Sequence, residues 1–225
     1  VIGTELALAV LVFTKTAAYH HEAIPDGVRA IEELGKESGF EVTATEDAKV
    51  FADEGLAGFD VVVFLMTTGD VLDPDQQAAF ERFMKKGKGY VGIHSASDTE
   101  YDWPFYGNLV GAYFRSHPQI QQGTYRVEDR EHPATRHLPS PWVRTDELYS
   151  FRSNPRSKVH VLLSLDEATY EPGEHAMGDH PAVWCQELEG GGRSFYTSLG
   201  HTKESYSDPL FRKHLASAIA WAARR

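Results

Sequence analysis

This sequence predicts an α/β fold built on a mainly parallel sheet, and three observations carry that expectation. Short apolar runs alternate with stretches of helical periodicity along most of the chain. The first run, residues 6–13 (LALAVLVF), is apolar at every position, as a strand covered on both faces would be. The order strand, helix, strand then repeats before residue 93, which sets successive strands parallel with helices on both sides.

Taken in order, Ile24, Val28, Ile31 and Leu34 follow the first strand at helical spacing, and Gly39 supplies a residue that can end a helix. Phe40–Thr45 alternates as a second strand. Gly58 and Asp60 announce the third, Val61–Leu65. Asp73-Pro74 reads as an N-cap followed by proline at the first helical position, and Phe80, Phe83 and Met84 give that helix its apolar face until Gly87. Gly89–Ile93 is the fourth strand. Around residues 115–165, Pro118, Pro133, Pro139, Pro141 and Pro155 punctuate strand-like pieces. This predicts a β-rich excursion from the sheet, inside one domain spanning residues 1–225. Residues 182–186 and Arg193–Thr197 flank Gly190-Gly191-Gly192 as the arms of a hairpin would. Residues 208–223 place Phe211, Leu215 and Ile219 on one face of a final helix.

Composition narrows the functional classes. With 225 residues, 41% apolar and 24% charged, the chain suits a globular domain with a sizeable core. Its net charge of −11, from 22 Lys and Arg against 33 Asp and Glu, repels nucleic acid and anionic membranes, and neither is expected as a partner. The first apolar run is far shorter than the roughly 20 residues that span a bilayer, and it lacks the basic segment and cleavage site of a signal peptide. A cytoplasmic protein is the default expectation. Secretion stays open, because Val1 is not an initiator methionine and an upstream segment can precede it. Cys185 is the only cysteine, so no internal disulfide, zinc ribbon or CxxC pair can form. Within its apolar run it is expected to be buried as a small hydrophobe.

Ligands of an open parallel sheet gather beyond the carboxyl ends of its strands. Four apolar runs are followed there by small residues, hydroxyls and an ionisable group, at residues 14–21, 66–70, 94–98 and 198–201. Together they predict one shared polar pocket. Gly92-Ile93-His94-Ser95-Ala96 has the strand–turn–helix setting of a nucleophile elbow, G-x-[S/C]-x-G, whose strained turn exposes the central side chain. His94 holds that central place and Ala96 replaces the second glycine, so the backbone N–H groups are available to an anion but no acylating Ser or Cys is present. Of the eleven histidines, His94 and His201 are the functional candidates, with His21 and His117 behind them. His20 is expected to face solvent, and His132, His137, His160, His175 and His214 to be loop or helix-surface residues. One of Asp146 and Glu147 is expected to reach the pocket.

At these residues the sequence resembles the ThuA-like, or trehalose-utilisation, family. The matching stretches are residues 12–21, 61–70, 92–111, 116–118, 146–149 and 200–206, and the resemblance runs from about Leu8 to Trp221. It implies a flavodoxin-like three-layer sandwich similar to the class I glutamine amidotransferases. Those enzymes carry a nucleophilic cysteine in the elbow and a His-x-Glu pair near the C-terminus. Here His94 takes the place of the cysteine and His201 matches the histidine. Lys203 stands where the glutamate would be and Glu204 lies one residue further on, so glutaminase activity is expected to be absent. The family's implied role is the catabolism of trehalose and related disaccharides, alongside a sugar oxidoreductase that produces 3-keto sugars.

The residues suit that role. A carbonyl at C3 of a sugar acidifies the proton on C2, and a histidine is suited to removing it. The resulting enolate needs fixed donors or a divalent cation before the sugar at C1 departs. The expectation is therefore an enzyme that cleaves or isomerises a disaccharide or its 3-keto derivative, as a lyase, hydrolase or isomerase. His201 is expected as the base, with His94, Asp98 and the elbow N–H groups at the oxyanion or its metal. Tyr19, Trp103 and Glu147 would grip ring faces and hydroxyls, Tyr106 is a further stacking candidate, and His21, Thr68, Asp70 and His117 complete the substrate-binding set. Neutral imidazoles from His21, His94, His117 and His201 can converge on Zn²⁺ or Mn²⁺ only through the fold, since no two share a local ligand spacing. Glu204 is the nearest candidate to set the His201 tautomer. Two alternatives remain: a noncatalytic carbohydrate-binding domain that kept the pocket, and a glycosidase with two carboxylates drawn from Asp70, Asp98, Glu100 and Glu147.

Overall fold

A computed structural model describes residues 7–225. Its first half alternates: β1 (Leu8–Phe13), α1 (Ile24–Ser38), β2 (Phe40–Thr45), a short α2 (Asp53–Leu56), β3 (Val61–Leu65), α3 (Pro74–Lys85), β4 (Gly89–Ile93) and α4 (Pro104–Val110). The second half is strand-rich: β5 (Phe114–Ser116), β6 (Gln121–Val127), β7 (Trp142–Asp146), β8 (Ser150–Phe151), β9 (His160–Asp166), β10 (Pro181–Glu187), β11 (Arg193–Thr197) and a closing α5 (Pro209–Ala222). Leu6, expected in the first strand, lies outside the described residues. Local chemistry sets the helix ends. Gly39 turns left-handed at φ 78° to stop α1. Asp73 and Gln76 form a reciprocal capping box at 2.9 Å in both directions that starts α3.

Side-chain alternation along the strands decides the layers. Val10, Val12, Val61, Val63 and Ile93 pack with Ile31 and Leu34 of α1 and Phe211, Leu215 and Ile219 of α5. Leu11, Phe13, Val62, Phe64 and Tyr90 face the other way, against Phe80, Phe83 and Met84 of α3 and Tyr106 of α4. Cover on both faces is why these strands read as unbroken apolar runs.

The main sheet has the order β2-β1-β3-β4-β11-β10-β9-β6-β7. Its first five strands are parallel, and the remaining four continue it antiparallel. The β-rich excursion therefore mostly lengthens the sheet, and β5 and β8 pair apart as a small ribbon. Cys185 is buried on β10, where desolvation pushes its thiol up to about 12. No helix among the described residues is long and apolar enough to cross a membrane.

Candidate metal centre

Parallel strands bring their carboxyl ends to one side, and there β1, β4 and β11 are each followed by one of the candidate histidines. His94 leaves β4 at φ 53°, a left-handed backbone that costs a non-glycine residue on the order of 1–3 kcal/mol. The Tyr196 hydroxyl holds the turn by donating to the His94 carbonyl at 2.8 Å. A single 3-10 turn, His94–Asp98, follows in place of a regular helix, and α4 begins only at Pro104.

The His94 ring lies over Tyr149, with centroids 4.1 Å apart. Its Nδ1 is 2.8 Å from the Ser198 carbonyl, which can only accept, so a proton sits on Nδ1 and a neutral ring presents a lone pair at Nε2. That nitrogen is 3.2 Å from Glu147 Oε2 and 3.1 Å from His201 Nδ1. The last two atoms are themselves 3.1 Å apart. His21 joins them edge-on, 5.0 Å from the His94 ring and 5.1 Å from that of His201. One ligand atom from each of the four residues falls within 4.8 Å of all the others.

Burial, then repulsion from His94 and His201, pushes the His21 imidazole down to about 3, so it is neutral at neutral pH. Burial alone would raise the Glu147 carboxyl, but hydrogen bonds and positive charge from His201 and His94 outweigh it and hold the group well below the carboxylate range. For His201 burial opposes charge, yet the Glu147 carboxylate prevails and raises it. The donor set fits a divalent transition metal. At metal–ligand bonds of 2.0–2.1 Å, tetrahedral ligands stand about 3.3 Å apart, close to the three separations among His94, His201 and Glu147.

Asp146 braces this arrangement. It is fully buried at the end of β7, where alternation turns Trp142, Arg144 and Asp146 inward. Its Oδ1 accepts the N–H groups of Glu147 at 3.0 Å and His201 at 3.1 Å, and its Oδ2 accepts that of Gly200 at 2.9 Å. His117 approaches from the end of β5, with Nε2 3.3 Å from Glu147 Oε1 and Nδ1 2.9 Å from the Pro118 carbonyl. Tyr19, 62% exposed, stands edge-on to His21 at 4.8 Å. His201, Tyr19, Ile120 and Glu22 line a cavity of about 350 Å³ beside the cluster.

Other expected residues are placed elsewhere. Trp103 and Tyr106 are core residues, since the Trp103 indole donates to Glu81 at 3.0 Å and stacks on a fully buried Tyr106, which rules out both as sugar platforms. Thr68 points back into the loop before α1, donating to the Tyr19 carbonyl at 2.8 Å and accepting the Ala18 N–H at 3.3 Å. It therefore fixes the Tyr19 backbone. Asp98 accepts the Tyr101 hydroxyl at 2.5 Å, and burial raises its carboxyl. Asp70 is exposed. Among the described residues neither hydrogen-bonds to the histidines. Glu147, not Glu204, partners His201, because Glu204 lies exposed on the following turn. His132 and His214 are buried rather than on the surface. Nothing in the sequence marks His180, yet it is buried between Glu167 and the Tyr149 carbonyl, 2.8 Å from each.

A parallel sheet extended by antiparallel strands and covered by helices on both faces, with a left-handed residue on the turn after its fourth strand, defines a three-layer α/β domain. Within that class the chain belongs to the ThuA family, described as trehalose utilisation, whose model matches residues 9–222. It is similar to a ThuA-like protein from Bacteroides uniformis, at 26% identity and a TM-score of 0.80 over 96% of this chain and 91% of that one. A ThuA-like protein from Parabacteroides merdae is 20% identical, with a TM-score of 0.78 over 97% and 90% of the two chains. A GMP synthase subunit from Thermoplasma acidophilum shares the fold at 11% identity, with a TM-score of 0.59 over 97% and 96%. No curated protein matches the chain.

Proposed function

We propose that this ThuA-family protein is a divalent-cation-dependent enzyme that cleaves or isomerises a disaccharide or its 3-keto derivative, without glutaminase activity. One observation carries the reading. His94 Nε2, His201 Nδ1 and Glu147 Oε2 lie within 3.1–3.2 Å of one another, and the Ser198 carbonyl already holds the His94 proton on the far nitrogen. A single proton on His201 can satisfy only one of the two contacts it faces, which leaves lone pairs opposed in a buried site. A cation shared by all three removes that conflict.

His21, His94, His201 and Glu147 would hold the ion, Zn²⁺ or Mn²⁺ by donor type. When bound, such an ion is a Lewis acid for a sugar carbonyl or enolate oxygen. With His201 Nδ1 committed to the cluster, proton transfer falls to His117, whose side chain is 39% exposed and stands at the remaining oxygen of Glu147. His117 Nε2 would take the proton from the sugar C2, and the N–H so formed can donate to Glu147 Oε1, 3.3 Å away. Tyr19 offers a ring face to the sugar. A 3-keto substrate requires prior oxidation at C3, so a sugar oxidoreductase is the partner reaction. The two-carboxylate alternative is left with two of its four acids: Glu100 is occupied by the Val71 and Leu72 N–H groups, both at 2.8 Å, and Asp98 by Tyr101, while Glu147 is engaged by His94 and His201 and Asp70 is exposed.

The test is turnover of trehalose and 3-keto-trehalose by chelator-treated protein, with and without added Zn²⁺ or Mn²⁺. Product is expected only with metal. Sugar binding without turnover under any metal would favour the noncatalytic carbohydrate-binding reading, and ammonia release from glutamine would contradict the loss of glutaminase chemistry.

A further inference from the structure

Ile120 is 49% exposed and stands where β6 begins. It forms a wall of two cavities at once. One is the cavity of about 350 Å³ that contains His201 and Tyr19. The other, about 560 Å³ and open to solvent, is bordered by residues 118–121 and 171–175. The segment between His117 and Ile120 thus leads from the histidine cluster into a second compartment that the proposed chemistry does not use.

We propose that this second compartment is a binding subsite for the non-reacting ring of a two-ring substrate, and that it takes a neutral polyhydroxylated ring. The assignment rests on the proposed sugar chemistry only in placing the reacting ring beside His201. Its walls are held before any ligand arrives. The Gln121 amide donates to the Gln119 carbonyl at 3.2 Å and the Glu171 carbonyl at 3.1 Å, and it accepts the Glu171 N–H at 2.9 Å. Those bonds fasten the start of β6 to the opposite wall, so little ordering cost is left for binding.

The lining chemistry points to hydroxyls. Among the described residues none hydrogen-bonds the side chains of Gln119, Glu174 or His175, which border the cavity as unengaged donors and acceptors. Pro118, Ile120 and Pro172 supply apolar surface of the kind a sugar's C–H face covers. The lining itself carries Glu171 and Glu174 and no Lys or Arg, which disfavours a phosphorylated ring; Arg115 stands only at the end of the wall, where it donates to the Ala176 carbonyl at 3.4 Å. The combined space of the two compartments falls within the range of small-molecule sites.

Calorimetric titration of the full chain, supplied with Zn²⁺, tests this with four probes: trehalose, 3-keto-trehalose, methyl α-glucoside and trehalose 6-phosphate. The neutral two-ring sugars are expected to bind more tightly than the methyl glucoside, and the phosphate more weakly than trehalose. The double variant Glu174→Ala, His175→Ala should weaken two-ring binding roughly tenfold more than one-ring binding, as the loss of one or two hydrogen bonds implies. A melting curve matching that of the parent chain would show that the fold is intact. Equal affinity for one and two rings overturns the proposal, and so does a variant that weakens both alike. Tight binding of the phosphate overturns the neutral-ring assignment. If the binding pattern holds but no sugar is turned over, the proposed reaction fails while the second subsite stands.

Discussion

Asp146 touches no ligand position, yet three backbone N–H groups converge on its carboxylate, from Glu147, Gly200 and His201. It joins the end of β7 to the turn after β11, and so sets the spacing between two of the four residues proposed to hold the ion. In Asp146→Asn one oxygen becomes an NH₂ group, which must face an N–H whichever way the amide turns. Zn²⁺ affinity should fall about 10–100-fold, as for other supports of metal ligands, and stability by roughly 1–3 kcal/mol. Competition against a chromogenic chelator reads the first and denaturant unfolding the second. Unchanged affinity would reject the bracing role. The sequence marks Asp146-Glu147 as a pair of which one reaches the pocket. Which one, and the use of the other, follow from the register of β7, and no local spacing encodes that register.

At the scale of elements, α5 shows how a polar residue joins a core. Phe211, His214, Leu215, Ala218, Ile219 and Ala222 form its buried stripe, and His214 lies three residues beyond Phe211, on the same face. That spacing is legible in the sequence, and residue type alone led to the surface assignment. Burial pushes His214 down to about 3, and His132, packed near Trp221 and Cys185, down to about 4. Unfolded, both titrate near 6.5. As pH falls below 6.5 the unfolded chain takes up protons that the folded chain refuses, so stability is full above that value. It is lost toward pH 4 by up to about 1.4 kcal/mol per pH unit for each residue. Urea unfolding at pH 7 and pH 5 should show this loss, and His214→Gln should reduce the slope by about one proton. A pH-independent midpoint in the parent chain would contradict the assignment. Helices and parallel strands were readable because periodicity and caps are local. The placement of β6, β7 and β9 in the main sheet was not, because antiparallel pairing across long loops leaves no periodic trace.

Taken whole, the molecule draws its candidate ligands from both parts of the sheet. His21, His94 and His201 follow parallel strands, while Glu147 follows β7 at the far antiparallel edge. An ion held by all four binds only the folded chain. At about 100 times its dissociation constant it adds roughly 2.7 kcal/mol of stability, which for a chain of this size raises the melting temperature by roughly 5–10 °C. Scanning calorimetry with and without Zn²⁺ measures this, and a melting point indifferent to metal would remove the ion from the site. The place of β11 has another consequence, for a chain still being made. The strand that fills the gap between β4 and β10 is the last strand to be synthesised. While residues 94–192 are being added, β4 has β3 on one side and an unpaired edge on the other. Through that interval a strand that the finished fold buries at every position is an open template for a neighbouring chain, a liability that ends only when residues 193–197 arrive to cover it.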